Sequence, residues 1–303
     1  MIKVTNLTKV YPNGTRANAG LTLTVSEGEV VGVIGPNGAG KTTLIRQLLG
    51  LLRPTSGRIE ILGRDVVRYP HAIKGLVGYV PQPPLFYPSH TVAEVISFVL
   101  GFHGLRGAGL RERVMETLAL VGLEQSAQLF GYQLSQGMAK LLLLGMALCQ
   151  KPAVLILDEP TAMVDIERKE RVWRAIAASG ARAVLLASHD IHEVLEHCTR
   201  VYLIVEGRFV AEGPPHQIAA LTRLSTVLTI AVDDAQAVEQ LLSESGDMFR
   251  RKGEVFEIVF PELTMALARL ELIRQRYTIR YVHVEAPSLE RAVKELLLGG
   301  RAQ

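Results

Sequence analysis

The sequence contains few of the residues that mark several other classes of protein. Among 303 residues there are two cysteines and one tryptophan, and the formal net charge is only +3. Cys149 and Cys198 are too few for a disulfide framework or a metal-ligand cluster, as expected in a reducing cytoplasm. The small charge gives no indication of a nucleic-acid-binding protein. What remains is a globular chain whose hydrophobic residues, 48% of the total, suffice for large cores.

Long apolar runs are also missing. The longest uncharged apolar stretch, Leu141 to Leu148, is far shorter than the ~20 residues that a membrane-spanning helix needs. The first residues alternate like a strand and do not form the continuous apolar core of a signal peptide. We therefore expect a cytoplasmic protein that reaches a membrane only through a partner.

Short apolar segments alternate with helical patterns over the first 215 residues. The alternation is typical of an α/β protein with a parallel sheet and crossover helices. The predicted strands are 2–10, 21–25, 29–34, 154–157, 183–187 and 201–205, and the predicted helices include 41–52, 111–123 and 166–178.

A different pattern follows the Gly-Pro-Pro sequence at 213–215. It predicts a strand from Val227, helix 235–243, a hairpin turning at 252–253, helix 263–276, strand 278–284 and helix 288–298. This β-α-β-β-α-β order is that of a ferredoxin-like domain. From Leu221 onward there are 11 basic and 12 acidic residues, so the segment is not a basic nucleic-acid module. We predict two domains, at 1–215 and 221–303.

Residues 35–42 match the phosphate-binding pattern G-x-x-x-x-G-K-[ST]. In such a loop, backbone N–H groups point at phosphate oxygens, and the following helix adds its positive N-terminal end. Lys41 can reach the β- and γ-phosphates, and the Thr42 hydroxyl can bind Mg²⁺. The match follows a predicted strand and opens a predicted helix, which favours a phosphate site over an ordinary Gly-rich turn. The predicted nucleotide-binding residues here are Gly35, Pro36, Asn37, Gly38, Ala39, Gly40, Lys41, Thr42 and Thr43.

Two carboxylates follow the apolar strand 154–157. Asp158 would emerge beside the phosphate loop, where a carboxylate can bind Mg²⁺. Glu159 is suited to polarise an attacking water as a general base. Alone, the pair could be an acidic strand end before the turn at Pro160. Together with the phosphate loop, it indicates a site that binds phosphates and Mg²⁺ and hydrolyses a phosphate bond.

Beyond these two motifs, the chain resembles the ATP-binding-cassette (ABC) ATPases over roughly residues 1–215. Gln82 matches the family's glutamine loop, which contacts Mg²⁺, and His189 matches the switch histidine that contacts the γ-phosphate and positions Glu159. Asp165 matches the loop that links two ATP sites across a dimer, and Tyr11 matches the aromatic residue that stacks on adenine. Taken singly, each residue also fits a plainer role, as a surface loop, a packed histidine, a helix cap or an edge-strand tyrosine.

The segment Leu134, Ser135, Gln136, Gly137 and Met138 resembles the family signature, whose common form is LSGGQ. The resemblance implies a helix N-terminus whose donors meet the γ-phosphate of ATP held by another subunit. In isolation, the segment would be read as an ordinary N-capped helix. Positions 136 and 138 depart from the common form, although the Ser-x-Gly-Met version is similar to one found among exporters.

Two further departures concern the residues around this segment. The family's basic residues after the signature are replaced by Ala-Lys-Leu-Leu, which leaves Lys140 as the only charge on the first turn. The loop at Asp165 reads Ala-Met-Val-Asp-Ile, in place of the family's usual Gly-Leu-Asp-Pro. Because Glu159 and His189 are both present, we expect a hydrolytically competent site.

The resemblance implies a P-loop NTPase fold in residues 1–215, with a parallel core sheet, an antiparallel β subdomain and a helical subdomain. The cofactors implied are ATP and Mg²⁺, the latter held by Thr42, Gln82 and Asp158. The partners implied are a separate transmembrane permease and a second copy, or a homologous ATPase, in a head-to-tail dimer. The chain would then lie on the cytoplasmic face of the cell membrane and bind no nucleic acid.

Residues 81–94 and 286–290 look like the corresponding segments of ABC-2 type exporter ATPases, although 288–298 could equally be a simple N-capped amphipathic helix. Two alternatives to export stay open. An importer ATPase with a C-terminal ligand-sensing domain also fits the predicted topology. A non-transport cassette ATPase acting on ribosomes or DNA usually carries two cassettes or a long coiled-coil insertion, and this sequence has neither.

Overall fold

The computed structural model describes residues 1–83, 88–221 and 225–285. The chain divides after Pro215 into two compact units. Within the described ranges, no helix is long and apolar enough to cross a membrane.

The first unit contains both strands and helices. Its strands are β1 (Ile2–Val10), β2 (Arg16–Val25), β3 (Val30–Ile34), β4 (Ser56–Ile61), β5 (Arg64–Asp65), β6 (Val77–Val80), β7 (Val154–Asp158), β8 (Ala183–Ser188), β9 (Arg200–Val205) and β10 (Arg208–Gly213). Its helices are α1 (Lys41–Leu48), α2 (Pro70–Lys74), α3 (Val92–Phe102), α4 (Gly107–Val121), α5 (Gln136–Leu148), α6 (Ile166–Ala178) and α7 (Ile191–His197), and α8 (Pro215–Leu221) begins at the boundary.

The central sheet has the order β10-β9-β3-β8-β7-β6. All neighbours are parallel except β10, which pairs antiparallel with β9 at one edge. Every residue of β7 and β8 is buried, as expected for apolar strands covered on both faces. The predicted parallel sheet is therefore confirmed. Because parallel strands end at the same edge of a sheet, the loops after β3, β6, β7 and β8 converge there.

A second, antiparallel sheet has the order β2-β1-β4-β5. Its apolar residues share one core with the central sheet and α1, in which Val4, Leu23 and Ile59 are buried with Ile45 and Ile156. Helices α3, α4 and α5 pack against one another as a helical group. A reciprocal capping box between Thr91 and Glu94 fixes the start of α3.

Apart from α8, the described residues of the second unit, 225–285, form one four-stranded sheet and two helices. Its elements are β11 (Thr226–Val232), α9 (Ala235–Glu244), β12 (Met248–Lys252), β13 (Val255–Phe260), α10 (Leu263–Arg276) and β14 (Ile279–Glu285). The sheet order is β12-β13-β11-β14, and every neighbouring pair is antiparallel. Its core gathers Leu228 and Ile230 with Phe256, Val238 and Ile273, so both helices cover the same sheet face. The final predicted helix, 288–298, lies outside the described residues.

Three predicted elements have clearly different bounds in the structure. The helix predicted over 111–123 spans Gly107–Val121, and the other two differ for local reasons. The helix predicted over 41–52 ends at Leu48, because Gly50 adopts φ 69° and bonds back to Gln47 while Leu51 N–H donates to Arg46 O. The strand predicted to begin at position 21 begins at Arg16. Its polar first half is held by pairing with β1 and not by its own apolar pattern.

Both cysteines are buried free thiols. Cys149 lies at the end of α5, and Cys198 lies at the end of α7. Burial raises the pKa of each thiol to about 12. Both side chains therefore stay protonated near neutral pH and behave as small apolar groups.

Candidate active site

The phosphate-binding pattern forms the loop between β3 and α1. Gly35 and Gly40 have no room for a side chain, since an added Cβ would lie 2.1 Å from Ile204 O and 2.3 Å from Ala17 O, respectively. Gly40 also adopts φ 109°, which L side chains rarely reach, as the first turn of α1 begins. Close backbone packing therefore fixes the curl of this loop.

Lys41 is buried at the start of α1, with 7% of its surface exposed. Its ammonium donates hydrogen bonds to the carbonyl oxygens of Gly35, at 2.7 Å, and Pro36, at 3.1 Å. Burial lowers the pKa of Lys41, while the nearby carboxylates of Glu159 and Asp158 raise it. The loop thus holds a fixed cation beside the N-terminus of a helix, where an anion is favoured.

Asp158 ends β7 inside the same site and is 1% exposed. The Thr42 hydroxyl hydrogen-bonds to this carboxylate. The Oδ1 atom of Asp158 is nevertheless buried with no hydrogen-bond partner. Burial raises the pKa of Asp158, while the Thr42 hydrogen bond and Lys41 oppose that shift. A buried carboxylate oxygen without a partner is costly, and a divalent cation would relieve that cost. The donor set of Thr42, Gln82 and Asp158 therefore fits Mg²⁺.

Glu159 follows Asp158 and is 4% exposed. It adopts φ 52°, a left-handed conformation that is uncommon for a residue other than glycine and that often occurs at functional sites. Its Oε2 atom lies 2.7 Å from Nδ1 of His189, whose side chain is 60% exposed. The pair therefore joins a buried carboxylate to an imidazole at the mouth of the site.

These groups surround one cleft of about 290 Å³. The phosphate loop, two threonines of α1 and the polar residues that end or follow β6 and β7 meet there. The lining residues are Ala17, Asn37, Gly38, Gly40, Lys41, Thr42, Thr43, Gln82, Asp158 and Glu159. A wider groove of about 570 Å³ lies between α6 and α7, with Trp173 and His197 in its wall. The converging donors, and not the larger volume, mark the smaller cleft as the candidate active site.

Tyr11 lies at the edge of the phosphate loop. Its hydroxyl is 3.4 Å from Oγ1 of Thr43, and the Lys9 ammonium is 5.5 Å from the centre of its ring. The ring therefore lies next to the first turn of α1, where the phosphate loop ends.

The signature segment and Asp165 are not among the described residues that line the cleft. Ser135 caps α5 by accepting a hydrogen bond from Met138 N–H, and Asp165 caps α6 by accepting from Arg168 N–H. Arg168 connects these two caps, because its side chain bonds to Asp165 and its Cδ would lie 2.9 Å from a Cβ on Gly137. The two segments therefore lie side by side at two helix starts.

Sequence reasoning missed two buried groups that support the site. Glu193 accepts hydrogen bonds from Thr161 and Ser188, both at 2.7 Å, and from Trp173 at 3.2 Å. Its carboxylate thereby connects the segment after Glu159 to Ser188, the last residue of β8, which directly precedes His189. The one sequence signal was a charged residue on the buried side of a short helix.

Lys140 is the second missed group and is 5% exposed. Its ammonium bonds to the carbonyl oxygens of Pro81, Gln82 and Glu159. The sequence showed an isolated lysine before a run of leucines, which is a signal for a buried cation, but nothing in it identified the partners.

Comparison with known proteins identifies a family and a relative over most of the chain. A family model described as "ABC transporter" matches residues 19–162. Nod factor export ATP-binding protein I of Ralstonia nicotianae is 33% identical over 257 residues, which cover 84% of this chain and 79% of that protein. A match of that length extends beyond the first unit.

Two solved structures resemble the chain. A dimeric ATP-binding cassette in a post-hydrolysis state, bound to ADP and phosphate, has a TM-score of 0.65 and 27% identity, covering 71% of this chain and 98% of that one. CbiO1 of Clostridium perfringens, part of the transporter complex CbiONQ, has a TM-score of 0.66 and 29% identity, covering 80% of this chain and 94% of that one.

Proposed function

Because the chain belongs to the family of ABC transporter ATP-binding proteins and hydrolyses ATP, we propose that it powers substrate export through a separate membrane subunit. The observation that carries the direction is the 33% identity, over 84% of the chain, to a protein named for export. The residues around the cleft support the energy source, since they bring a phosphate loop, a buried acid pair and a histidine to one place.

In this proposal, each residue around the cleft has a role in binding or hydrolysing ATP. The loop 35–43 and Lys41 bind the phosphates, and Tyr11 stacks on adenine beside Thr43. Thr42, Asp158 and Gln82 hold Mg²⁺, which would neutralise charge developing on the β- and γ-phosphates. Glu159 accepts the proton of the water that attacks the γ-phosphorus as the bond to ADP breaks. His189 orients Glu159 through the hydrogen bond between them.

A second chain completes the site in this proposal. Ser135 and Asp165 cap helices that lie outside the cleft of their own chain. A head-to-tail partner would bring its own signature helix N-terminus to the γ-phosphate, where the positive end of a helix favours an anion. ATP would then close the dimer, and hydrolysis would open it.

We assign residues 1–215 to the ATPase domain and 221–303 to an accessory domain with a ferredoxin-like fold. The support is the β-α-β-β-α-β order of the described elements, together with the sheet order β12-β13-β11-β14. The same observation favours the second candidate function, an importer ATPase whose C-terminal domain senses a ligand.

Isolation of the chain with its partner tests the proposal. The tagged chain is expressed from its native chromosomal locus and purified in mild detergent. It is expected to co-purify with a membrane protein that has several spans, in a fixed molar ratio. Inside-out vesicles containing the pair should take up substrate only with ATP. Recovery of a solute-binding protein and ligand binding by the C-terminal unit would instead indicate import. Recovery of ribosomes or DNA would contradict a transport function.

Replacement of His189 by alanine is expected to slow hydrolysis with little effect on ATP affinity. The imidazole contacts Glu159, so its loss affects the step in which charge develops. Removing one such preorganised group costs roughly 2.7–4 kcal/mol of barrier, which corresponds to a fall in turnover of about a hundredfold or more. Turnover, ATP affinity and melting temperature are measured on the same preparation, with the exposed His103→Ala as control. Parallel loss of affinity and melting temperature would indicate a structural histidine.

A further inference from the structure

Lys140 lies on α5, the signature helix, two residues beyond the signature segment, and all three of its donors form hydrogen bonds. An ammonium group carries three N–H donors. They bond to the carbonyl oxygens of Pro81 at 3.3 Å, Gln82 at 2.6 Å and Glu159 at 3.0 Å. One side chain therefore joins the signature helix, the loop after β6 and the residue after β7.

The environment of this ammonium is costly without its partners. Burial lowers the pKa of Lys140, while the carboxylates of Asp158, Glu159 and Glu193 raise it. A buried cation is stable only when it is paired and hydrogen-bonded, and an apolar side chain of similar size would avoid the cost of desolvation altogether. The lysine therefore specifies an arrangement of the three segments that an apolar residue would not.

The Glu159 backbone is the part of this arrangement closest to the chemistry. Its left-handed conformation is held from both sides, since Glu159 N–H donates to Ala187 O at 2.9 Å and Glu159 O accepts from Lys140. With the backbone fixed, the carboxylate is directed to Nδ1 of His189 at 2.7 Å. Loss of the Lys140 hydrogen bond would release one side of this support.

We propose that Lys140 is a positioning residue for ATP hydrolysis, which holds Glu159 and the Gln82 loop in register with the signature helix. A displacement of α5 when nucleotide is bound would thus be transmitted to the general base through one hydrogen bond and to the Gln82 loop through two. This inference rests on the proposed role of Glu159 as the base. It adds a direct mechanical connection between the signature helix and the base of the same chain.

The test compares wild type with Lys140→Met, which keeps most of the length of the side chain but removes its charge and donors. The matched control is Lys151→Met, an exposed lysine just beyond the end of the same helix. ATP affinity is measured by titration, and turnover is expressed per nucleotide-binding site, so that unfolded protein does not count. We expect turnover of Lys140→Met to fall at least tenfold, with ATP affinity within twofold of wild type and Lys151→Met unchanged.

A double substitution tests whether Lys140 acts through Glu159. In the Glu159→Gln background, single-turnover hydrolysis should fall less than twofold further when Lys140→Met is added, because the base is already lost. A fall as large as in the wild-type background would overturn the proposal, as would wild-type turnover per site in Lys140→Met. If Lys140→Met yields no folded protein, Lys140→Gln, which keeps an amide donor, replaces it with the same expectation and the same contradicting results. Wild-type turnover in Glu159→Gln alone would instead overturn the role of Glu159 as the base.

Discussion

Glu159→Gln is expected to bind ATP as tightly as the wild-type chain and to hydrolyse it about 10²–10⁴ times more slowly, the range that a positioned general base contributes. Glutamine has nearly the same shape and can keep a hydrogen bond to His189, but its amide cannot accept a proton from water. The carboxylate is 4% exposed, so bulk water cannot easily take over its role. Single-turnover hydrolysis of bound ATP measures the effect.

The same variant should also trap the closed dimer. Without hydrolysis, ATP stays between the phosphate loop of one chain and the signature segment of the other, so size-exclusion chromatography with Mg²⁺ and ATP should give twice the monomer mass. Glu170→Gln, which changes an exposed carboxylate paired with Arg174 on α6, is the matched control and should behave as wild type. A variant that stays monomeric with ATP at all micromolar concentrations would contradict a dimer formed by the isolated chain.

Lys41→Ala is expected to weaken ATP binding on the order of a hundredfold or more. The ammonium would contact two phosphate groups, and a hydrogen bond to a charged group contributes roughly 1.5–3 kcal/mol. A hundredfold change in affinity corresponds to about 2.7 kcal/mol, so two lost contacts suffice. Calorimetric titration of ATP measures the affinity, and circular dichroism during heating measures the stability.

The fold should withstand this change. Among the described residues, Lys41 bonds to two carbonyl oxygens of its own loop, and removing a desolvated charge offsets part of the loss. Lys74→Ala, at an exposed lysine on α2, controls for a general loss of positive charge. ATP affinity of Lys41→Ala equal to that of wild type would show that this loop is not the phosphate site.

The nucleotide cleft was predictable because its signals are local. A strand, a glycine-rich loop and a helix follow one another within residues 30–48, and Asp158 directly ends an apolar strand. In a parallel sheet, such strand ends must meet, so the phosphate loop and Asp158 could be placed at one edge from the sequence pattern. Gln82 and His189 were assigned there only through the family resemblance.

The supports of the cleft were not predictable, because their partners are distant in the chain. Lys140 reaches a carbonyl 58 residues away, and Glu193 accepts from a hydroxyl 32 residues away. A sequence pattern indicates that such residues are buried, but it does not indicate which backbone carbonyl or hydroxyl forms their hydrogen bonds.

Helix ends show the same limit on a smaller scale. The apolar pattern of α1 continues to Leu52, yet the helix ends at Leu48 because Gly50 turns the backbone into a left-handed conformation. The polar start of β2 is held by its neighbour β1, and no pattern within residues 16–20 predicts a strand there. In both places, backbone hydrogen bonds outweigh side-chain periodicity.

The two buried thiols make the chain well suited to site-specific labelling. With a pKa of about 12, each is almost entirely unreactive towards maleimides at neutral pH, so neither needs to be removed. A single cysteine introduced at Met163, which is 84% exposed beside the Asp165 loop, would then carry the only dye or spin label. Distances between two such labels, one on each chain, would record opening and closing in real time on a protein whose native residues stay otherwise intact.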